Sequence, residues 1–298
     1  MKNRIIGSSV IFLSAFSAFI IVAIILLMLY IIYSGGSNLL SLSFLLDSPK
    51  DGMTSGGIFP AIVGTSLLVI IMTIAGVPVG TITAIYLHEY ASQKSIFTRM
   101  IRFAVNTLAG IPGIVFGLFG FGFFIQFVGV GIDKNLGVET VRWAQPNILW
   151  ASLTMALLTL PVVIVSVEEA LRNVPKEYRA ASLALGATKF TTIIKVVLPN
   201  AISGIFTGSI LAVGRGAGEV APILFTGAAY FLPQIPQSLS DQFMHVGYHL
   251  YIMTTQSADV EATKQIQFAS AFVLLLLTFI LNFSAILLRQ RMQKKLVS

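Results

Sequence analysis

Six stretches of the chain are apolar almost without interruption: about 10–33, 60–87, 103–130, 147–167, 200–227 and 266–288. Each reaches the roughly 20 residues that a helix needs to cross a bilayer core. Helix is the element they predict, because lipid offers no hydrogen-bond partner to the open edge of a strand. The period-2 alternation of an outer-membrane barrel strand is missing. The first run follows Lys2 and Arg4, as a signal peptide would. From Val10 to Tyr33 it is too long for the apolar region of such a peptide, and no small-residue cleavage site follows it. It is expected to be a retained first span.

The polar segments between the runs alternate in sign. One set collects Lys2 and Arg4, Lys94, Arg99 and Arg102, then Arg172, Lys176, Arg179, Lys189 and Lys195, and finally Arg289, Arg291, Lys294 and Lys295, which is 14 of the 19 basic residues. The other set holds Lys50, Lys134, Arg142 and Lys264 with seven acids: Asp47, Asp51, Asp133, Glu139, Asp241, Asp259 and Glu261. Basic loops stay on the cytoplasmic side, so both termini are expected there.

Composition narrows the class further. Of 298 residues, 56% are hydrophobic and only 10% are charged, against about 25% in soluble domains. The mean hydropathy is +0.88. The fold class is all-α integral membrane, with six transmembrane helices. The net charge of +7 is a topology signal and does not point to nucleic acid. The absence of cysteine removes disulfides, thiol catalysis, thiolate zinc sites and iron–sulfur clusters. His245 and His249 are i,i+4, with no third ligand nearby, so no metal site is expected.

Several activities are missing their motifs. No GxxxxGK[ST] occurs, so the chain has no nucleotide-phosphate loop of its own; HExxH and GxSxG are missing too. The spans carry almost none of the ionisable relay residues of proton-coupled carriers. No catalytic residue, resident cofactor or metal is expected.

The 168–199 loop reads as two helices. Pro175 suits a first helical turn, Glu177 favours the helix dipole there, and Lys176–Leu185 is rich in Ala and Leu. Gly186 can take the left-handed conformation that closes a helix. A second amphipathic helix, about Thr188–Val197, then runs to Pro199. By spacing alone this is either a knob facing the cytoplasm or an ordinary hairpin on the membrane surface.

The fifth run contains Arg215 and Glu219. At i,i+4 they would share one helix face and pair. A charge inside a span costs on the order of 3 kcal/mol on insertion scales. Either the pair has a function in transport or it locks helices together. Gly204, Gly208, Ala212 and Gly216 form a small-residue stripe on the same helix, which allows close packing and predicts a place at the centre of a bundle or at a subunit interface. Pro112, beside Gly110 and Gly113, is expected to break the ladder of the third span. Gly113, Gly117 and Gly120 then permit a bend or a close contact. Pro233 and Pro236 interrupt the external 228–265 segment, which is a plain loop or a contact surface for a solute-binding protein.

The loop resembles a known pattern. Ala180, Ala181, Ser182, Gly186, Val196, Leu198 and Pro199 align with E-A-A-x3-G-x9-I-x-L-P, the EAA loop of the type I ABC importer permeases. The pattern's Glu falls on Ala180 and its second Ala on Ser182, while Glu177 stands one turn earlier. The run Thr207–Thr226, with its Ala221-Pro222-Ile223-Leu224-Phe225-Thr226 ending, is similar to the fifth-span signature of the A-type permease of the phosphate-specific importers. Leu108–Gly120 and Pro78–Tyr90 resemble that family's third and second spans.

The resemblance implies a type I permease core at 57–289, preceded by an N-terminal span and external loop at 1–56 and followed by a tail at 290–298. It implies a coupling helix in the 168–199 loop, with Glu177, Ala180, Ala181, Ser182, Gly186, Leu198 and Pro199 at the contact with the ATPase. Arg215 and Glu219 would serve translocation and gating. Pro112, Gly113, Gly117, Gly204, Gly208 and Gly216 would serve packing or bending. The implied partners are a C-type permease, a pair of ATP-binding subunits that carry the ATP, and an extracytoplasmic phosphate-binding protein, all at a bacterial or archaeal inner membrane. A permease for molybdate or sulfate, or a carrier acting alone, are the competing readings.

Overall fold

The computed structural model describes residues 2–137, 141–257 and 260–297; Glu139 and Asp259 lie outside them. Among the described residues six helices are long and apolar enough to cross a membrane: Ile11–Gly36, Phe59–Tyr90, Gly113–Leu136, Ile148–Arg172, Lys189–Gly218 and Lys264–Arg291. In chain order the helices are α1 (Lys2–Gly36), α2 (Leu42–Leu46), α3 (Phe59–Ile85), α4 (Ile96–Ala109), α5 (Gly113–Gly120), α6 (Val130–Leu136), α7 (Ile148–Arg172), α8 (Lys176–Ala184), α9 (Lys189–Thr192), α10 (Leu198–Gly218), α11 (Val246–Thr255) and α12 (Lys264–Val297). Wider π turns at Tyr86–Tyr90, Phe121–Gly129 and Ile193–Val197 extend α3, join α5 to α6 and join α9 to α10.

The core is built on α7. Two-thirds of its most apolar window is buried, against 28% for span five, so span four and not span five holds the centre. Small residues let its neighbours approach. Along α3, Gly76 faces Ala156 and Gly80 faces Val163. Along α10, Gly204 faces Ala170, Gly208 faces Ser166 and Gly216 meets Met72 of α3. Without hydrophobic attraction between helices in lipid, such close fits supply the packing energy. The first helix is exposed along its apolar length, and near its end Tyr33 meets Phe272 while Gly35 and Gly36 lie against Phe268 and Ala269 of α12.

The start of α7 is fully capped. Asn147 Oδ1 accepts from the Trp150 N–H at 2.9 Å, and the carbonyls of Asp241 and Leu239 accept from Ile148 and Leu149. These bonds satisfy donors that a helix leaves open at its N-terminus. They also clamp the 226–241 segment over the bundle. There, β3 (Ala228–Ala229) pairs in parallel with β4 (Phe243–Met244), with Ala228 opposite Phe243. A short antiparallel hairpin of β1 (Pro49–Lys50) and β2 (Ser55–Gly56) lies before α3. Within the 228–265 segment the longest ordered element before α12 is α11.

Three expectations change. The third span does not run from 103 to 130 as one helix. It begins as α4, breaks at Gly110–Pro112 and restarts at Gly113. Pro112 is the residue before the new helix (φ −58°, ψ 139°) rather than a kink within one. The fifth span does not reach 227. It ends at Gly218, with Glu219 extended (φ −85°, ψ 128°) and a single tight turn at Ala221–Leu224. Pro222 has no N–H to offer the Gly218 carbonyl, so the ladder cannot pass that point. Finally, the helix expected at Thr188–Val197 is not separate. It is the first part of span five, which continues through the π turn and past Pro199. Pro199 lacks the N–H that a continuing helix would use, and the wider turn just before it absorbs the misfit.

Candidate functional site

The 172–189 connection forms a knob. Helix α8 follows Pro175, which takes the extended conformation of the residue before a helix. Gly186 has φ +83°, a region costly for any residue with a Cβ. The Gly186 turn is closed by the Ala187 N–H, which donates to the Ser182 carbonyl. Thr188 caps the next helix by accepting from the Thr191 N–H at 3.2 Å. No residue of α8 is buried. Leu185, at its tip, is 90% exposed, and Tyr178, Leu183 and Phe190 are exposed beside it. An apolar tip flanked by Lys176, Glu177 and Lys189 is suited to docking into a protein groove.

Arg179 makes the most bonds between this knob and the body. Arg179 donates to Glu89 Oε1 through Nη2 at 2.8 Å and Nε at 3.2 Å. It also donates to the carbonyls of Val174 at 2.7 Å and Leu171 at 2.8 Å. Those carbonyls lie at the end of α7, where backbone acceptors run out of helical partners. Glu89 belongs to the π turn Tyr86–Tyr90. From the other side, Arg102 of α4 donates to the Leu87 carbonyl of that turn at 3.2 Å and to Glu168 Oε2 of α7 at 2.9 Å. Ser182 and Thr192 share a hydrogen bond of 2.9 Å, and Lys189 lies 5.0 Å over the Tyr90 ring. Spans two, three and four and the knob therefore meet at one turn.

The two broken spans meet deeper in the bundle. Gly216, near the end of α10, lies against Met72, in the middle of α3. Just beyond it, Glu219 and Pro222 lie against the start of α5: a Cβ on Gly113 would stand 3.3 Å from Glu219 Oε1, and one on Gly117 would strike Pro222. An apolar pocket of about 240 Å³ opens at the same break, lined by Leu108, Ile111, Val115, Phe116, Phe119 and Leu157. Backbone without helical bonds survives at such depth only where protein buries it or where it lines a cavity.

Arg215 and Glu219 do not pair. Because the helix ends at Gly218, they do not share a face, and no ion pair joins them among the described residues. Each instead answers a helix dipole. Arg215 stands in the last turn of α10, where carbonyls face outward, and is exposed. Glu219 sits beside the start of α5, where N–H groups do. The arrangement sets a carboxylate and a helix N-terminus at one break, with an exposed guanidinium in the helical turn that leads to it.

Of the residues singled out in the sequence, Glu177, Ala180, Ala181, Ser182 and Gly186 lie on the knob. Leu198 and Pro199 lie in span five past the π turn, away from its tip. Pro112, Gly113 and Gly117 border the break, and Gly204, Gly208 and Gly216 line the α10 contact. Sequence reasoning missed Arg179, Glu89, Arg102 and Glu168 as a group. A visible signal was the position of Glu89 and Glu168, acids at the ends of spans where basic residues gather. His245 and His249 are both buried on α11 or at its start. His245 Nδ1 accepts from the Gly247 N–H at 3.1 Å, and burial pushes both imidazoles down to about 4. No group of three metal-ligating side chains is present among the described residues.

Comparison with known proteins agrees with this architecture. Residues 76–297 match the family described as "Binding-protein-dependent transport system inner membrane component". The chain is 40% identical over 170 residues to the phosphate transport system permease protein PstA of Mycobacterium leprae (strain TN), covering 57% of this chain and 51% of that protein. It therefore spans about half the length of that relative. It is 32% identical over 238 residues to phosphate transport system permease protein PstA 2 of Mycobacterium bovis, covering 80% and 72%. Among solved structures, an inward-facing MetNI methionine ABC transporter superposes with a TM-score of 0.55 at 17% identity, over 79% of this chain and 94% of that one. The fold is that of the ABC importer permeases.

Proposed function

The chain belongs to the binding-protein-dependent transport system inner membrane component family, and we propose that it is the A-type permease subunit of an ATP-driven phosphate importer. Its substrate reading rests on the relatives named as phosphate permeases and on the Thr207–Thr226 run. The observation that carries the mechanism is the Gly186 knob: an exposed apolar tip that hangs from the bundle by Arg179. A subunit with no nucleotide loop needs such a handle if ATP is to move it.

In this reading the subunit forms half of a translocation path, with a C-type permease as the other half. A pair of ATP-binding subunits grips the knob, and an extracytoplasmic phosphate-binding protein delivers the anion to the opposite face. The basic loops put the knob and both termini in the cytoplasm. Arg215 faces the path, since an unpaired guanidinium is not left to lipid, and its planar fork suits phosphate oxygens. Glu219, at the helix start that an anion would otherwise attract, competes with the substrate for that positive end and gates it. Closure of the ATPase pair displaces the knob and opens the path to one side at a time.

Purification of the tagged chain from detergent-solubilised membranes of its native cell tests this. A P-loop ATPase and a second permease are expected with it, and the ATPase is expected to be lost when Leu185 is replaced by Asp. A chain that purifies without any ATPase contradicts the reading.

A further inference from the structure

Resting on the reading above, we infer that Arg179, Glu89, Arg102 and Glu168 form a relay of positioning residues that carries knob movement to the break in span three. With Tyr178 and Leu183 of α8 exposed, apolar packing is a poor transmitter of a push from it. The guanidinium of Arg179 can, because its bonds to Glu89, Val174 and Leu171 hold the knob to spans two and four from one planar group. Arg179 and Glu89 side chains are only 18% and 9% exposed, so water competes weakly for these bonds.

The second half of the relay is poised between two geometries. Arg102 and Glu168 are joined by a single bond, Nη1 to Oε2, although an arginine and a carboxylate usually meet through two. The remaining atoms, Arg102 Nε and Glu168 Oε1, are both buried and without a partner. A buried donor and a buried acceptor left open on the same ion pair are costly. Arg102 Nε lies on the Nη2 edge of the guanidinium, so a shift of α4 along α7 that brought Glu168 to that edge would exchange the Nη1 bond and the bond to the Leu87 carbonyl for a two-bond contact through Nε and Nη2. Helix α4 offers little to hold it in place: Ile96, Phe97, Met100 and Phe103 are exposed, and only Thr98 and Val105 are fully buried. Its far end is Ala109, next to Gly110–Pro112 and the pocket at the break. The π turn carrying Glu89 and Leu87 is thus the junction. Arg179 pulls on it from the knob, and Arg102 reads its position and passes it to the substrate path. Two discrete arrangements of one packed element are what such coupling requires.

The complete transporter, reconstituted in liposomes with its ATPase, partner permease and binding protein, tests the relay with labelled inorganic phosphate. The readout is phosphate moved per ATP hydrolysed, which general damage to the fold does not lower selectively. R179Q, E89Q and R102Q are each expected to lower that ratio at least tenfold while hydrolysis stays within twofold. The R179Q/E89Q double variant is expected to be no worse than either single. R102K, which keeps the charge but not the fork, is expected to lose about threefold and to assemble normally. A ratio within twofold of the parent in these variants, R102K included, overturns the relay, as does a parallel fall of uptake and hydrolysis. A parent complex that moves no phosphate instead overturns the functional reading on which the relay rests.

Discussion

Glu219 lies against Gly113, the first residue of the helix that restarts span three, and not beside Arg215 four residues earlier in its own chain. The carboxylate thereby stands where the breaks of two spans come together. A Cβ on Gly113 would stand 3.3 Å from Glu219 Oε1, which fixes how closely the two ends approach.

The free guanidinium that results has a direct consequence. Replacing Arg215 with Gln is expected to reduce phosphate uptake at least tenfold while the complex still assembles, because its side chain makes no ion pair that the fold depends on. Uptake assays on membranes with matched subunit levels check this. Normal uptake would remove Arg215 from the path.

Glu219 should behave differently. E219Q keeps the shape and the hydrogen-bonding capacity but removes the charge that faces the α5 N-terminus. The expected outcome is tighter retention of phosphate and slower turnover, measured as a lower apparent KM together with a lower maximal uptake rate.

Gly186 stands in the left-handed region with open space around its Cα. G186A therefore meets backbone strain alone, about 1 kcal/mol. The knob is expected to fray while the bundle stays intact. Unchanged thermal unfolding in detergent, combined with a severalfold fall in phosphate-stimulated ATP hydrolysis, is the predicted pair of results.

At Gly208 the outcome should reverse. A Cβ there would lie 2.6 Å from that of Ser166, so G208V forces α10 away from α7 along their small-residue seam. Overpacking of this kind costs about 1–3 kcal/mol, and a lower unfolding temperature of the purified complex is expected.

The buried histidines give stability a pH dependence of known sign. Both imidazoles are pushed to about 4 by burial, against 6.5 when exposed. The unfolded chain therefore binds protons first as the pH falls. Stability is full above pH 6.5 and declines toward pH 4, by about 2 kcal/mol for each histidine at pH 5. Melting curves at pH 7.5, 6 and 5 should show the decline. The H245N/H249Q variant should lose the slope while being less stable throughout.

Much of this fold was legible in the sequence, for physical reasons. Lipid demands about 20 apolar residues per crossing, so the spans announce themselves. The Gly186 knob did so too, because a helix start and a left-handed glycine leave local marks. The break at Gly110–Pro112 was marked by its proline, although not as a full restart of the helix, and the one at Gly218–Glu219 left a weaker mark. Hydropathy stays high through Ile111, Ile114 and Val115 and through Val220, Ile223 and Leu224, so composition alone runs each helix on. The i,i+4 spacing of Arg215 and Glu219 was sound only if the helix continued, and Pro222 ends it. The bond from Arg179 to Glu89 crosses 90 residues, and no local pattern encodes such a contact. Charge at the ends of spans marks where such bonds form, but not which residues make them.

The most direct test is uptake of labelled phosphate at low concentration in cells lacking this chain and every other phosphate carrier, with and without the chain restored, in the presence of excess sulfate and molybdate. The account predicts uptake that depends on the chain and ignores both competitors. Uptake that persists without the chain, or that sulfate or molybdate suppresses, would contradict it.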